Sequence, residues 1–258
     1  IYWAKQQNIR CNIIGAGSNL LISDNGLRGL SLCMRQLRGA KLDSISGSVE
    51  ALAGESLPSL ARRTAKEGLH GLEWAVGIPG TVGGAVTMNA GAAGNSISEK
   101  IQSIDVLSIP KGKIFKLNCK DLDFKYRESL LQKEELVLLS ARFKLEPGYP
   151  RKELNQITNS HLNHRITTQP YNQHTCGSVF RNPEPLKAGA LIEAIGLKGF
   201  RIGGAEISKI HANFIINKGH ASSKDIQKLI SIIQNKVKDS YGVLLQTEVK
   251  AYGFSISS

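Results

Sequence analysis

Ser178 stands behind a glycine in the run Cys176-Gly177-Ser178-Val179-Phe180-Arg181-Asn182-Pro183. Small and apolar neighbours make this a short, stiff loop able to present a hydroxyl. Two glycine-rich runs lie upstream. The first is Gly15-Ala16-Gly17-Ser18-Asn19-Leu20; the second, from Gly77 to Gly94, holds six glycines in eighteen residues. A turn needs only one or two glycines for positive φ. A denser run offers a flat backbone surface whose N–H groups can close on a pyrophosphate. A dinucleotide cradle together with an exposed serine outlines redox chemistry with a proton donor.

The cradle follows neither familiar nucleotide fingerprint. A dinucleotide-binding G-x-G-x-x-G motif would place its third glycine at position 20, which is Leu20. About 20 residues on, where an acidic residue would grip a ribose, the chain carries Arg35 and Arg38 instead. The second run has no G-x-x-x-x-G-K-[ST] pattern, so it is no triphosphate loop. A flat ring system with a pyrophosphate tail suits both runs. On the first run alone, a tight turn explains the glycines equally well.

The elements that must position these residues read as two domains, a length of 258 residues being ample for both. A short strand at 11–14 leads into the first glycine run. A helix is expected over 57–67, with Pro58 in its first turn and Gly68 ending it. Strands are expected over 104–109 and 136–145. Glu146-Pro147-Gly148-Tyr149-Pro150 breaks the pattern, and the boundary is placed there, giving domains 1–146 and 147–258. The last strand is free to return to the first domain. Helices are expected over 152–165, 190–195 and 223–241. Ser222 and Asp225 open the last as a capping box, an apolar stripe of Ile226, Leu229, Ile230, Ile233 and Val237 follows, and Gly242 closes it. A final strand is expected over 243–252. Without a regular βαβ repeat, the fold class is α+β.

Composition narrows the function classes. No run approaches the ~18 apolar residues of a spanning helix, and no secretory signal is visible. Cys11, Cys33, Cys119 and Cys176 are scattered without a C-x-x-C pair, against both a zinc site and a disulfide framework, so a reducing cytoplasm is expected and no metal. His161 and His164 share a helix face but no third ligand stands near them. The net charge of +12 admits nucleic-acid binding or simply solvated lysines, yet no nucleic-acid motif accompanies it. A positive field that concentrates a small polyanionic ligand fits better. The opening Ile1-Tyr2-Trp3-Ala4-Lys5-Gln6 reads as the middle of a helix, so a truncated N-terminus is expected.

Both glycine runs, Tyr126-Arg127-Glu128-Ser129, the serine loop, and Gly203-Gly204-Ala205-Glu206-Ile207-Ser208-Lys209-Ile210-His211-Ala212-Asn213 occur in one order. In this the chain closely resembles the UDP-N-acetylenolpyruvoylglucosamine reductases, specifically the shorter subtype without an extra tyrosine-bearing loop. The resemblance implies a vanillyl-alcohol-oxidase-like FAD domain followed by a smaller α+β substrate domain. It implies NADPH as hydride donor, FAD as carrier, and a UDP-sugar enolpyruvyl ether reduced to a lactyl ether in the synthesis of peptidoglycan precursors. The expected FAD contacts are Gly15, Gly17, Ser18 and Asn19 of the first run. In the second run they are Gly77, Ile78, Pro79, Gly80, Thr81, Gly83, Gly84, Ala85, Asn89, Ala90 and Gly91. A small-molecule substrate, no nucleic acid, no membrane and a monomer complete the expectation.

Hydride addition to the vinyl carbon leaves an enolate-like charge spread into the carboxylate, and the resemblance assigns three residues to it. Ser178 would give the proton, Arg127 would clamp the charge, and Glu248 would polarise the enolpyruvyl group or orient the donor. The plainer readings are a serine turn for Ser178, a surface ion pair with Glu128 or Asp123 for Arg127, and an exposed strand face for Glu248. Tyr126, Asn182, Lys198 and His211 are the expected substrate contacts. The alternatives are another FAD oxidoreductase of the same fold, such as an oxidase, and a basic nucleotide-binding module without catalysis.

Overall fold

The structure, a computed structural model, describes residues 1–254. The chain begins with α1 (Tyr2–Gln6), β1 (Cys11–Ile14), β2 (Leu20–Ile22), β3 (Leu30–Cys33), β4 (Ala40–Asp43), β5 (Ser48–Leu52), α2 (Leu57–Lys66) and α3 (Val82–Thr87). It continues through β6 (Gly91–Ala92), β7 (Asn95–Ser96), β8 (Ile101–Ser108), β9 (Lys113–Asn118), β10 (Leu136–Lys144) and α4 (Arg151–Thr168). It then forms β11 (Thr175–Ser178), α5 (Ala188–Ala194), β12 (Arg201–Ile202), β13 (Ala205–Ile207), β14 (Phe214–Asn217), α6 (Ser223–Tyr241) and β15 (Lys250–Tyr252). Two compact units result. The first comprises Ile1–Ala16 and Gly29–His164; the second comprises Gly17–Arg28 and the chain from Arg165 onward.

In the first unit, a five-stranded antiparallel sheet in the order β4-β5-β10-β8-β9 carries the core. Val49, Ala51, Ile104, Val106, Ala141 and Phe143 from its strands are buried with Leu57, Leu60 and Ala61 of α2 and Val82, Ala85 and Val86 of α3. The local chemistry of α2 is that expected: Ser59 N–H donates to the Ser56 hydroxyl at 3.4 Å, Pro58 sits in the first turn, and Gly68 at φ +74° ends it. Such a cap contributes about 1 kcal/mol. The edge strand β9 is exposed along most of its length and carries Lys113 and Lys116, which discourage pairing with a foreign strand. β1 and β3 form a separate parallel pair.

The second unit is built on the antiparallel sheet β11-β14-β13-β12, covered by α5 and α6. α6 matches the expected bounds, with the Ser222–Asp225 capping box present and Gly242 at φ +69° as its C-cap. Leu229, Ile230, Ile233 and Val237 are its buried stripe. The Asp24 carboxylate accepts from Ser223 N–H at 2.9 Å and from the Ser223 hydroxyl at 2.9 Å, tying the early segment to this helix. β2 pairs in parallel with β15.

Two expectations are corrected. The units part inside α4, between His164 and Arg165, rather than at 146/147, and residues 17–28 join the later unit. The Pro-Gly segment is held firmly on the first unit: His70 N–H donates to Glu146 O at 2.8 Å, Glu146 N–H donates to His70 O at 3.0 Å, and the Tyr149 ring stacks on His70 at 4.6 Å. A chain break in pattern was therefore a strap, not a linker. The final strand is only Lys250–Tyr252, not 243–252. Leu245 and Val249 are buried with an exposed pair between them, so burial lacks the period of two that a strand face requires. The last strand returns to β2, a strand of early sequence that belongs to the second unit.

Candidate active site

In the first unit, β1 delivers the chain to Gly15, which lies against the second glycine run. A Cβ on Gly15 would stand 2.6 Å from Thr81 Oγ1, so only glycine allows the approach. Thr81 is buried and caps α3, accepting from Gly84 N–H at 3.3 Å. The bonds from Leu57 N–H to Gly80 O at 3.1 Å and from Val82 N–H to Glu55 O at 2.9 Å fix the turn between them. Among the described residues, the N–H groups of Gly80 and Thr81 donate to no hydrogen bond. Not every glycine faces outward: a Cβ on Gly83 would meet Ala53 at 3.1 Å, so this one serves the packing of α3 on the end of β5. Part of the run is thus helix rather than flat backbone.

Arg127 occupies the turn of a tight hairpin, closed by paired bonds of 3.1 Å between the backbones of Lys125 and Glu128. Its φ of +59° is a left-handed conformation unfavourable for a long side chain. The guanidinium donates to Gly91 O at 2.9 Å and lies 5.0 Å from the centre of the Tyr126 ring. It is therefore anchored at the end of the glycine run. Asn89, expected at the cofactor, spends its side chain locally: Nδ2 donates to Lys125 O at 3.0 Å and Oδ1 accepts from Ser98 N–H at 3.0 Å. It steadies the hairpin that carries Arg127.

In the second unit, Ser178 ends β11, half-buried, behind Gly177 at φ +79°. A Cβ on Gly177 would come within 3.8 Å of Ser18 O. Glu248 N–H donates to Val179 O at 2.8 Å, and Arg181 N–H donates to Gln246 O at 2.9 Å. Asn19 Nδ2 donates to Glu248 O at 3.2 Å, while Asn19 O accepts from Lys250 N–H at 3.0 Å. The structure thus brings together three stretches far apart in sequence: Ser178, Glu248 and the Ser18-Asn19 pair. Gly17, at φ +76°, would meet nothing within 4 Å if it bore a Cβ, so its backbone is open to an incoming group. Glu248 is half-buried and its segment bridges Phe180 through Thr247, rather than lying on a regular exposed strand.

The expected substrate contacts Asn182, Lys198 and His211 also fall in this unit. Asn182 Oδ1 accepts from Ala188 N–H at 3.0 Å at the start of α5. Lys198 is salt-bridged to Glu193 at 2.6 Å. A Cβ on Gly189 would stand 2.8 Å from His211 Cε1, so α5 packs closely on that imidazole. Asn213, buried and absent from the expected site residues, bonds to both backbone groups of Phe180. Its only sequence signal was its place at the end of the His211-Ala212-Asn213 motif.

Two titration outcomes follow from burial. The His211 pKa lies below the ordinary 6.5 because its ring is desolvated and Lys198 lies nearby. Its Nδ1 accepts from Asn213 N–H at 3.2 Å, which requires the neutral ring. The unfolded chain therefore takes this proton first. The stability His211 contributes is full above about pH 6.5 and is lost as pH falls toward and through its folded-state pKa. Melting curves should show a shallower acid-side decline for His211→Gln than for the parent; parallel declines would contradict this. Burial likewise pushes the Cys176 thiol up to about 11, so it stays protonated near neutrality. Iodoacetamide labelling followed by mass spectrometry should modify the exposed Cys33 well before Cys176. Equal rates would show that the thiol is not sequestered.

Residues 1–118 match a family model described as an FAD binding domain, and residues 169–252 match the C-terminal domain of UDP-N-acetylenolpyruvoylglucosamine reductase. The chain is 60% identical to the UDP-N-acetylenolpyruvoylglucosamine reductase of Prochlorococcus marinus (strain MIT 9313), over 100% of this chain and 84% of that protein. It is 58% identical to the protein of that name from Synechococcus sp. (strain CC9605), over 99% of this chain and 85% of the other. The solved structure of the enzyme from Thermus caldophilus superposes with a TM-score of 0.82 at 31% identity, covering 97% of this chain and 88% of that one.

Proposed function

The chain belongs to the UDP-N-acetylenolpyruvoylglucosamine reductase family, and from that premise we propose which of its residues carry the reaction. The enzyme is an FAD-dependent, NADPH-driven reductase that converts UDP-N-acetylglucosamine enolpyruvate to UDP-N-acetylmuramate for peptidoglycan synthesis. When bound, FAD supplies the hydride that the enolpyruvyl double bond accepts, drawn from NADPH.

The residues fit that cofactor. In the first unit, the undonated N–H groups of Gly80 and Thr81 suit a pyrophosphate. We assign Gly15, Gly17, Ser18 and Asn19, and the second run from Gly77 to Gly91, to holding it. Gly83 and Asn89 act in this by supporting the backbone of their neighbours.

Ser178 donates its hydroxyl proton to the carbon beside the carboxylate, forming the new C–H bond. The Ser178 oxygen then recovers a proton from water. Arg127 neutralises the charge that spreads into the carboxylate. Glu248 holds a hydrogen bond on the enolpyruvyl oxygens or orients the donor. Only the first of these needs a proton on the carboxyl, since a carboxylate accepts from a hydroxyl as it stands. Tyr126 supports the guanidinium from beneath, and Asn182, Lys198 and His211 receive the UDP-sugar. Lys198 must then exchange Glu193 for phosphate.

The observation that carries this assignment is the 2.8 Å bond from Glu248 N–H to Val179 O, which seats the glutamate beside the serine loop. No helix of the described residues is long and apolar enough to cross a membrane, and we read the enzyme as a cytoplasmic monomer. Anaerobic NADPH should bleach the flavin absorbance, and the enolpyruvyl ether should restore it faster than oxygen does. Rapid recovery with oxygen alone would favour an oxidase instead.

A further inference from the structure

We propose that Asn213 is a positioning residue that holds the Ser178 loop in its donating geometry. The inference rests on the proposed role of Ser178. The ladder between β11 and β14 is irregular: Thr175 pairs with Ile216 and Ser178 with Phe214, with a register shift between them. The β11–β14 ladder therefore does not fix the loop beyond Ser178. The 246–248 segment holds the loop from one side, through Glu248 N–H to Val179 O and Arg181 N–H to Gln246 O, and Asn213 holds it from the side of β14. Its backbone carbonyl accepts from Val179 N–H at 2.9 Å. Its side chain closes a two-bond clamp on Phe180, with Oδ1 accepting from Phe180 N–H at 2.9 Å and Nδ2 donating to Phe180 O at 2.8 Å.

Asn213 thus contributes three bonds to the two residues that follow the serine, beside the bond from Glu248 N–H to Val179 O, and it is only 4% exposed. An amide buried this deeply acts through the loop, not on the substrate. Asparagine is suited to the task because it offers a donor and an acceptor at the spacing of one peptide. Aspartate keeps the acceptor and loses the donor; alanine loses both.

A double-mutant cycle tests the role on the full chain loaded with FAD. Anaerobic rates are measured separately for bleaching by NADPH and for recovery with the enolpyruvyl ether. Asn213→Ala should slow recovery by roughly 10- to 100-fold, with bleaching unchanged. In a Ser178→Ala background, the same substitution should cost less than about 2-fold, since there is no hydroxyl left to aim. Asn213→Asp is read through the same cycle and should lose less than alanine, and it decides the matter where the alanine variant does not fold. Equal losses in both backgrounds, or slowing of bleaching alongside recovery, would reduce Asn213 to a structural residue. If Ser178→Ala alone leaves recovery near the parental rate, the proton-donor role itself falls, and the two failures are told apart.

Discussion

Ser178→Ala should leave the bleaching of the flavin by NADPH within about 3-fold of the parental rate and slow the reduction of the enolpyruvyl ether by roughly 10²- to 10⁴-fold. The asymmetry follows from where the hydroxyl acts. Hydride addition generates an enolate, a base strong enough to take a proton from an alcohol, provided the alcohol is held in line. In water serine is far too weak an acid for this, so the geometry of the loop must supply the advantage. Gly177 at φ +79° sets the turn, and the bond from Glu248 N–H to Val179 O holds the residue after the serine. Alanine keeps that backbone and removes only the hydroxyl, so melting should hardly change. A cysteine at the same place should recover part of the rate, because a thiol is the stronger acid. Stopped-flow absorbance resolves the two steps, and equal slowing of both would remove Ser178 from the proton transfer.

What the chain reveals of itself depends on how local the governing physics is. α2 and α6 are legible because each carries its own start and stop signals: Pro58 in the first turn of α2 and Gly68 after it, the Ser222–Asp225 pair and Gly242 around α6. The sheet of the second unit is not, since β12 and β13 are two and three residues long and hold together only by pairing. Its strands have too little length to show a period. The transfer of residues 17–28 to the second unit is equally hidden, because it depends on Asp24 meeting Ser223 across 199 positions. Glycine density marks positions where a Cβ would be crowded but cannot distinguish the approach of Gly15 to the Thr81 side chain from the packing need at Gly83. Ser178 and Glu248 were paired by resemblance to a family. Nothing in their spacing says that backbone bonds at Val179 and Arg181 join their segments.

Arg127 separates activity from stability more sharply than any other residue of the site. Both Arg127→Ala and Arg127→Gly remove the guanidinium, and both should lose roughly 10²- to 10³-fold in kcat/KM. They differ in the backbone they inherit. At φ +59° an alanine keeps the left-handed strain, worth about 1–2 kcal/mol, while glycine adopts that conformation freely. Each forfeits the bond to Gly91 O and the contact with Tyr126. Arg127→Gly should therefore melt above Arg127→Ala by an amount equivalent to about 1 kcal/mol, though neither works. Arg127→Lys tests the other half of the argument: it retains a charge but cannot present a planar fork to a carboxylate. It should recover only part of the rate. On the proposed role, the left-handed strain at Arg127 is offset by what its guanidinium does, held at Gly91 O where it would meet the charge that hydride addition creates. Thermal melts and steady-state kinetics on the three variants decide the point. An alanine variant within about 3-fold of parental kcat/KM, far short of the loss expected of a charge clamp, would show that the strain serves something other than catalysis.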